Sequence, residues 1–289
     1  MGEHVLAQPP SLLSTVWRAW STRHKRPGPV HVLEPVTWSM PRVSVQADRV
    51  AQYRDVCGFG AEHGVPFTYP QLLTFPLVMA YLSSPDCPWP AVGTVHLANA
   101  IEQREPLRVG DEVTVTLRTA GLRTHDKGQV FDLELSVLRD GEWVWRGTQS
   151  LLRRGVRHPA GPAYTSAVPE VTDLHRYAEF EARSTVGRRY AAVSGDYNPM
   201  HWSTLGARLL GFRRMIAHGL WTQARALACL QSHHPWRQAH LLTEFRSPLF
   251  LPVRASVWQA SQAGALRFDV RDVRGDRLHV RALLTDTAS

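Results

Sequence analysis

The sequence predicts an α+β chain made of two similar halves, each an apolar helix followed by a meander of antiparallel strands. Three observations carry this. The segment Gly155 to Thr172 is rich in Pro, Gly, Ala and Ser, lacks periodicity and reads as a linker. On either side of it the same order of elements occurs, one helical apolar run and then four strand-like runs. Pro106-Leu107, after the first strand of one half, matches Pro248-Leu249 after the first strand of the other. The expected division is therefore 1–154 for a first half with an N-terminal extension, 155–172 for the linker and 173–289 for the second half.

The extension comes first. Leu12, Leu13, Val16, Trp17 and Trp20 make a short amphipathic stretch, followed by Arg23, His24, Lys25 and Arg26. A single apolar stripe is what a helix docked on its own protein shows; a helix lying on a membrane surface is the alternative. Pro70 to Ser83 is apolar and of helical length. Strands are expected at Val95–Gln103, Asp111–Thr119, Val130–Arg139 and Trp143–Leu152, with turns at Val109-Gly110-Asp111 and Asp140-Gly141. In the second half, Gly219 to Gln231 is the helix. Its strands are His240–Arg246, Val253–Gln262, Leu266–Val273 and Arg277–Thr285, the last after a Gly275-Asp276 turn.

The halves also align upstream. Tyr53-Arg54-Asp55-Val56-Cys57-Gly58 lies over Tyr190-Ala191-Ala192-Val193-Ser194-Gly195. Beyond that the halves part: where the second has Asp196 and His201, the first has Phe59 and Gly64. Chemistry is expected in one copy only.

Composition sets the frame. A chain of 289 residues can bury two cores, and 44% hydrophobic with 20% charged residues is the balance of a globular protein. Cys57, Cys87 and Cys229 are far apart and show no CxxC spacing, which points to a reducing, cytoplasmic setting. No apolar run is long enough to span a membrane, and no continuous apolar core of a signal peptide stands near the N-terminus. The net charge of +8 is spread along the chain, without a recognisable nucleic-acid module. It fits a phosphate-bearing small molecule such as coenzyme A, or an acidic carrier protein, equally well.

The chemistry-bearing stretch runs from Tyr190 to Leu227. Asp196-Tyr197-Asn198-Pro199 is a polar turn that bends the chain. His201 follows close behind, so the bend can bring a carboxylate and an imidazole around one point, where they can polarise a water and pass its proton. Further on, His218-Gly219 opens an apolar helix whose first amides have no intrahelical acceptor. With no side chain in the way, the Gly219 amide can meet a carbonyl oxygen and hold the charge that develops on it.

The strings SGDYNPMH and GFRRMIAHG resemble the hydratase motif of the MaoC-like family, the (R)-specific enoyl-CoA hydratases and 3-hydroxyacyl dehydratases of hotdog fold. The downstream strands from His240 to Val257 resemble the family's sheet, and the first half matches in outline only. The resemblance implies a double hotdog, with an inert first copy that widens the pocket. It implies an enzyme that hydrates trans-2-enoyl thioesters, or dehydrates 3-hydroxyacyl thioesters, carried on coenzyme A or an acyl carrier protein. Asp196 and His201 would activate water, the Gly219 amide would serve as oxyanion donor, and neither metal nor other cofactor is implied. A monomer or a homodimer is expected, since both copies lie in one chain. A hotdog thioesterase and a non-catalytic acyl-binding subunit are the alternatives.

Ser194, Asn198 and His218 are the candidate substrate-side residues. Ser194 and Asn198 are equally turn-formers by type, and His218 reads largely as structural. Arg213 and Arg214 lie close to the motif and are candidates for gripping a phosphate. His233-His234 lacks the carboxylate or thiol spacing of a metal site. No G-x-S-x-G elbow occurs. Glu62-His63 reads as surface or rim.

Overall fold

The computed structural model describes residues 2–25, 28–230, 236–262 and 264–286. Arg26, Gln231, His233 and His234 lie outside the described residues, as do the side chains of Leu12, Leu13 and Val16. In chain order the elements are β1 (Gly2–Val5), α1 (Leu12–Ser21), β2 (Val36–Ser44), α2 (Ala47–Cys57), α3 (Pro70–Ser83) and β3 (Thr94–Gln103). Then come β4 (Glu112–His125), β5 (Gly128–Arg139), β6 (Glu142–Arg154), β7 (His175–Ala182), α4 (Val186–Ser194) and α5 (Thr204–Leu209). The chain ends with α6 (Gly219–Leu230), β8 (Ala239–Phe245), β9 (Val253–Gln262), β10 (Ala265–Asp272) and β11 (Leu278–Asp286).

These elements form two compact units that interleave along the chain. One comprises Met1–Ser44, Pro70–Asn99 and Asp111–Ser166; the other comprises Val45–Tyr69, Ala100–Gly110 and Ala167–Ser289. Helix α2 therefore belongs to the second unit, although it precedes α3 in sequence.

In the first unit the strand order is β1-β2-β4-β5-β6-β3. β1 runs parallel to β2, while β2–β4, β4–β5 and β5–β6 pair antiparallel. Helix α3 packs on β2, β4 and β5. It is apolar on every side, as a helix enclosed by a sheet must be, and Leu77 and Tyr81 are fully buried. The β5–β6 connection is the expected Asp140-Gly141 turn: both residues have positive φ (53° and 84°), the pattern of a hairpin turn whose twist suits the strands. Helix α1 is capped by the Ser11 side chain and packs on α3. Trp17 and Trp20 nevertheless stay 68% and 59% exposed.

In the second unit the order is β8-β11-β10-β9-β7, and β8–β11, β11–β10, β10–β9 and β9–β7 all pair antiparallel. Counted from β2 and from β7, both sheets place their strands in the order first, third, fourth, fifth, second. The repeat read from sequence is thus a repeat of topology. Leu107 and Leu249, the matched residues after the first expected strands, are each 3% exposed. Helix α6 packs on β7 and β11, and α2 packs on both α4 and α6. Helices α2 and α4 each end on a left-handed glycine, Gly58 (φ 86°) and Gly195 (φ 80°), at the aligned positions. The strands that open the two sheets, β2 and β7, were not among the expected elements.

Candidate active site

The site is built where α4 ends. Gly187, in its first turn, is a point of close approach: a Cβ there would lie 1.7 Å from the His201 carbonyl oxygen. Three local bonds shape the chain after Gly195. Ser194 Oγ accepts from the Asp196 amide (3.2 Å), Asp196 Oδ1 from the Asn198 amide (3.2 Å), and Asn198 Oδ1 from the Met200 amide (3.5 Å). Short polar side chains closing turns on their own backbone are what this sequence dictates. Pro199 then starts a 3₁₀ turn, Pro199–His201, that carries His201 back beneath α4.

His201 is buried, and its Nδ1 lies 2.9 Å from the Ile216 carbonyl oxygen. A carbonyl only accepts, so Nδ1 carries the proton and Nε2 of the neutral ring is bare. That Nε2 stands 4.0 Å from Asp196 Oδ2. The gap is too long for a direct hydrogen bond and short enough for both groups to hold one water. Asp196 is partly exposed, with 32% of its side chain accessible, so the pair has an open side.

His218 completes the cluster. Its ring stacks on that of His201, with centroids 3.7 Å apart and planes 23° apart. Its Nε2 donates to the Asp196 backbone carbonyl (3.0 Å) and lies 3.8 Å from Oδ2 of the same residue. Nδ1 is then the bare nitrogen, buried and without a hydrogen-bond partner among the described residues. The Tyr190 ring packs 4.9 Å from His218, and its buried hydroxyl is likewise unpartnered. Burial holds both imidazoles neutral. It lowers the His201 pKa below 6.5 against the pull of Asp196. For His218, burial and the neighbouring His201 together bring it to about 3.

Helix α6 begins next to this cluster. Gly219 is its first residue, and the His218 carbonyl already accepts from the amide and hydroxyl of Thr222 (3.0 Å each). The leading amides of α6 have no intrahelical acceptor. A Cβ on Gly219 would come within 2.9 Å of the Phe245 ring, so packing favours glycine at this position. Behind the site, Trp221 Nε1 donates to the Val56 carbonyl (2.8 Å), fastening α6 to α2. Arg49 of α2 donates to the Ala192 and Val193 carbonyls (3.3 and 3.1 Å), capping the end of α4 that leads into the turn.

The structure thus brings Asp196, His201, His218 and the start of α6 at Gly219 together, with Ser194 and Asn198 in the turn that aims the carboxylate. Sequence reasoning missed Tyr190, Gly187, Arg49 and the Ile216 carbonyl. The last has no sequence signal, because any residue supplies a carbonyl. One ligand atom from each of Asp196, His201 and His218 lies within 4.8 Å of the others, the spacing of a metal site. A metal needs bare nitrogens. His201 Nε2 is bare, whereas His218 Nε2 donates a hydrogen bond to the Asp196 backbone carbonyl.

A sheet wrapped on an apolar helix, occurring twice with one strand order, defines a double hotdog protein whose polar site lies in the second copy. Residues 174–254 match the family model described as MaoC like domain. The chain is 31% identical over 251 residues to 3-hydroxyacyl-thioester dehydratase X of Mycobacterium tuberculosis, covering 85% of this chain and 88% of that protein. A crystal structure of HtdX from Mycobacterium tuberculosis superposes with a TM-score of 0.75 at 30% identity, covering 86% of this chain and 99% of the other. Two others agree in fold. A MaoC-like dehydratase from Phytophthora capsici has a TM-score of 0.73 at 18% identity, with 88% and 95% of the chains covered. A Mycobacterium tuberculosis protein of double hotdog fold has a TM-score of 0.55 at 13% identity, with 89% and 97% covered. The chain belongs to the MaoC-like dehydratase family, and it is a hydratase/dehydratase, a hydro-lyase.

Proposed function

We propose that the protein interconverts trans-2-enoyl and 3-hydroxyacyl thioesters, carried on coenzyme A or on an acyl carrier protein. The observation that supports this best is the 4.0 Å gap between Asp196 Oδ2 and the bare Nε2 of His201, beside the start of α6. In the hydration direction the thioester carbonyl oxygen accepts from the Gly219 amide. Asp196 and His201 hold a water against C3. Its oxygen bonds to C3, one of the two groups takes its proton, and the charge that moves to the carbonyl oxygen is held by the amide. The same pair returns a proton to C2. Dehydration is the reverse path. The thioester itself acidifies the α-proton, so the reaction is proposed to run without metal or redox cofactor.

We place Ser194 and Asn198 in this scheme as positioning residues, acting through the backbone around Asp196. His218 holds the Asp196 carbonyl and backs the His201 ring. The three free thiols fit a cytoplasmic setting, and no helix among the described residues is long and apolar enough to cross a membrane.

The test follows loss of the conjugated enoyl absorbance and release of free thiol in parallel, with enoyl-CoA esters of short, medium and long chain. Absorbance loss without thiol, abolished in Asp196→Asn and His201→Ala, is expected. Thiol release instead would favour a thioesterase. Silence with every coenzyme A ester and every carrier-protein ester would favour a binding subunit.

A further inference from the structure

Two connections of the second unit bring three guanidinium groups to one aromatic ring. The Cζ of Arg213 lies 4.6 Å from the centroid of Phe250, and those of Arg214 and Arg277 each lie 5.9 Å from it. All three arginines are exposed. Among the described residues none of them is ion-paired with a carboxylate, unlike Arg246, Arg254, Arg271 and Arg281. Arg277 Nε donates to the neutral Ser247 Oγ (3.3 Å). Three cations around one ring repel one another, and the ring offsets only part of that cost. Such a cluster is complementary to a ligand carrying more than one negative charge, and guanidinium forks match phosphate oxygens.

The cluster is wired to the site. Phe250 bridges Ile216, the Leu251 amide donates to the Met215 carbonyl (2.8 Å), and the Ala217 amide donates to the Leu249 carbonyl (2.9 Å). Ile216 is the residue whose carbonyl holds His201. Arg213 and Arg214 therefore lead directly into the short ladder that ends at His218 and Gly219.

We propose that Arg213, Arg214 and Arg277, gathered on Phe250, bind the phosphate groups of the handle that carries the acyl thioester. This rests on the thioester reading above. Three cations around one ring suit the 4′-phosphate of a phosphopantetheine arm, or the further phosphates of the nucleotide that coenzyme A adds to it.

Two measurements test it on the full chain. The first compares kcat/KM for the same enoyl group on coenzyme A, on 4′-phosphopantetheine and on pantetheine. In Arg213→Gln/Arg214→Gln/Arg277→Gln the ratio of coenzyme A to pantetheine thioester is expected to fall at least about tenfold, the scale of one lost charge-assisted bond. A matching fall for the phosphopantetheine ester assigns the shared phosphate; a fall confined to coenzyme A assigns the nucleotide's phosphates. An unchanged ratio overturns the proposal. The second titrates free coenzyme A by calorimetry, where the same variant should weaken binding about tenfold. Equal dissociation constants would overturn the proposal even in a protein that turns over no thioester, whereas absent turnover by the parent on all three esters would sink the hydratase reading alone. Should the triple variant fold poorly, Arg213→Gln and Arg277→Gln read the same ratio singly.

Discussion

A methyl group added to Gly187 would collide with the carbonyl oxygen of His201, 1.7 Å away. The first turn of α4 and the 3₁₀ turn at its far end are thus in backbone contact, and the depth at which His201 sits is fixed by a hydrogen atom. Gly187→Ala is expected to destabilise the protein by at least about 2 kcal/mol, at the upper side of overpacking costs. It should also cut turnover by displacing His201. Chemical denaturation of the variant at wild-type stability would show that the turn has room to move.

Asp196→Asn and His201→Ala should each lower turnover by about two to four orders of magnitude, the range of a positioned acid or base. Asp196→Asn should hardly shift the denaturation midpoint, since Asp196 is partly exposed, whereas His201→Ala also leaves the buried Ile216 carbonyl without its donor and should cost about 1–3 kcal/mol. A variant that unfolds together with its loss of activity would point to a structural role.

Protonation separates the histidines from ordinary surface residues. Both are held neutral in the fold, and His218 accepts a proton only near pH 3. An unfolded chain protonates them near 6.5, so it binds more protons throughout that interval. Stability from this source is complete above pH 6.5 and drains as pH falls towards 3, at up to about 1.4 kcal/mol per pH unit for one proton. Urea unfolding between pH 4 and 8 should show this slope, and His218→Gln should flatten it. An equal slope in the variant would place the proton uptake elsewhere.

Gly219→Ala should lose activity because its Cβ meets Phe245, not because an amide is lost. Gly219→Ala combined with Phe245→Leu is then expected to recover much of the lost turnover, since the backbone N–H survives in both. No recovery would mean that the oxyanion geometry, rather than the ring contact, had been disturbed.

Trp221→Phe removes the donor to the buried Val56 carbonyl and should cost about 1–3 kcal/mol. Thermal unfolding reads it directly; a loss of a few tenths would imply that water replaces the indole.

The parts of the fold that were legible in sequence are those where local chemistry and tertiary structure agree. Asp140-Gly141 must turn, Gly58 and Gly195 stand at matching positions of the two halves, and the apolar run from Pro70 has no exposed face to offer. The opening strands were hidden for local reasons. β2 contains Pro41 and Arg42, the latter at φ 55°, and its register slips between Met40 and Val43, so its alternation is broken midway. β7 is an edge strand with mostly exposed residues and a slip between Arg176 and Ala178. In the site, Asp196 and His201 were visible because one turn joins them. His218 reads mostly as structural in the sequence because its stacking on His201 and its bond to the Asp196 carbonyl depend on the chain's return through α5 and the Met215–Ala217 segment.

The placement of α2 bears on modularity. Its Arg49 caps the helix that leads into the Asp196 turn, and its Val56 anchors the helix that begins at Gly219. Fission at the Pro- and Gly-rich segment would leave that buttress on the fragment without Asp196 and His201. The two halves of the sequence are therefore not interchangeable with the two compact units: a helix encoded before the linker holds the ends of two helices encoded after it.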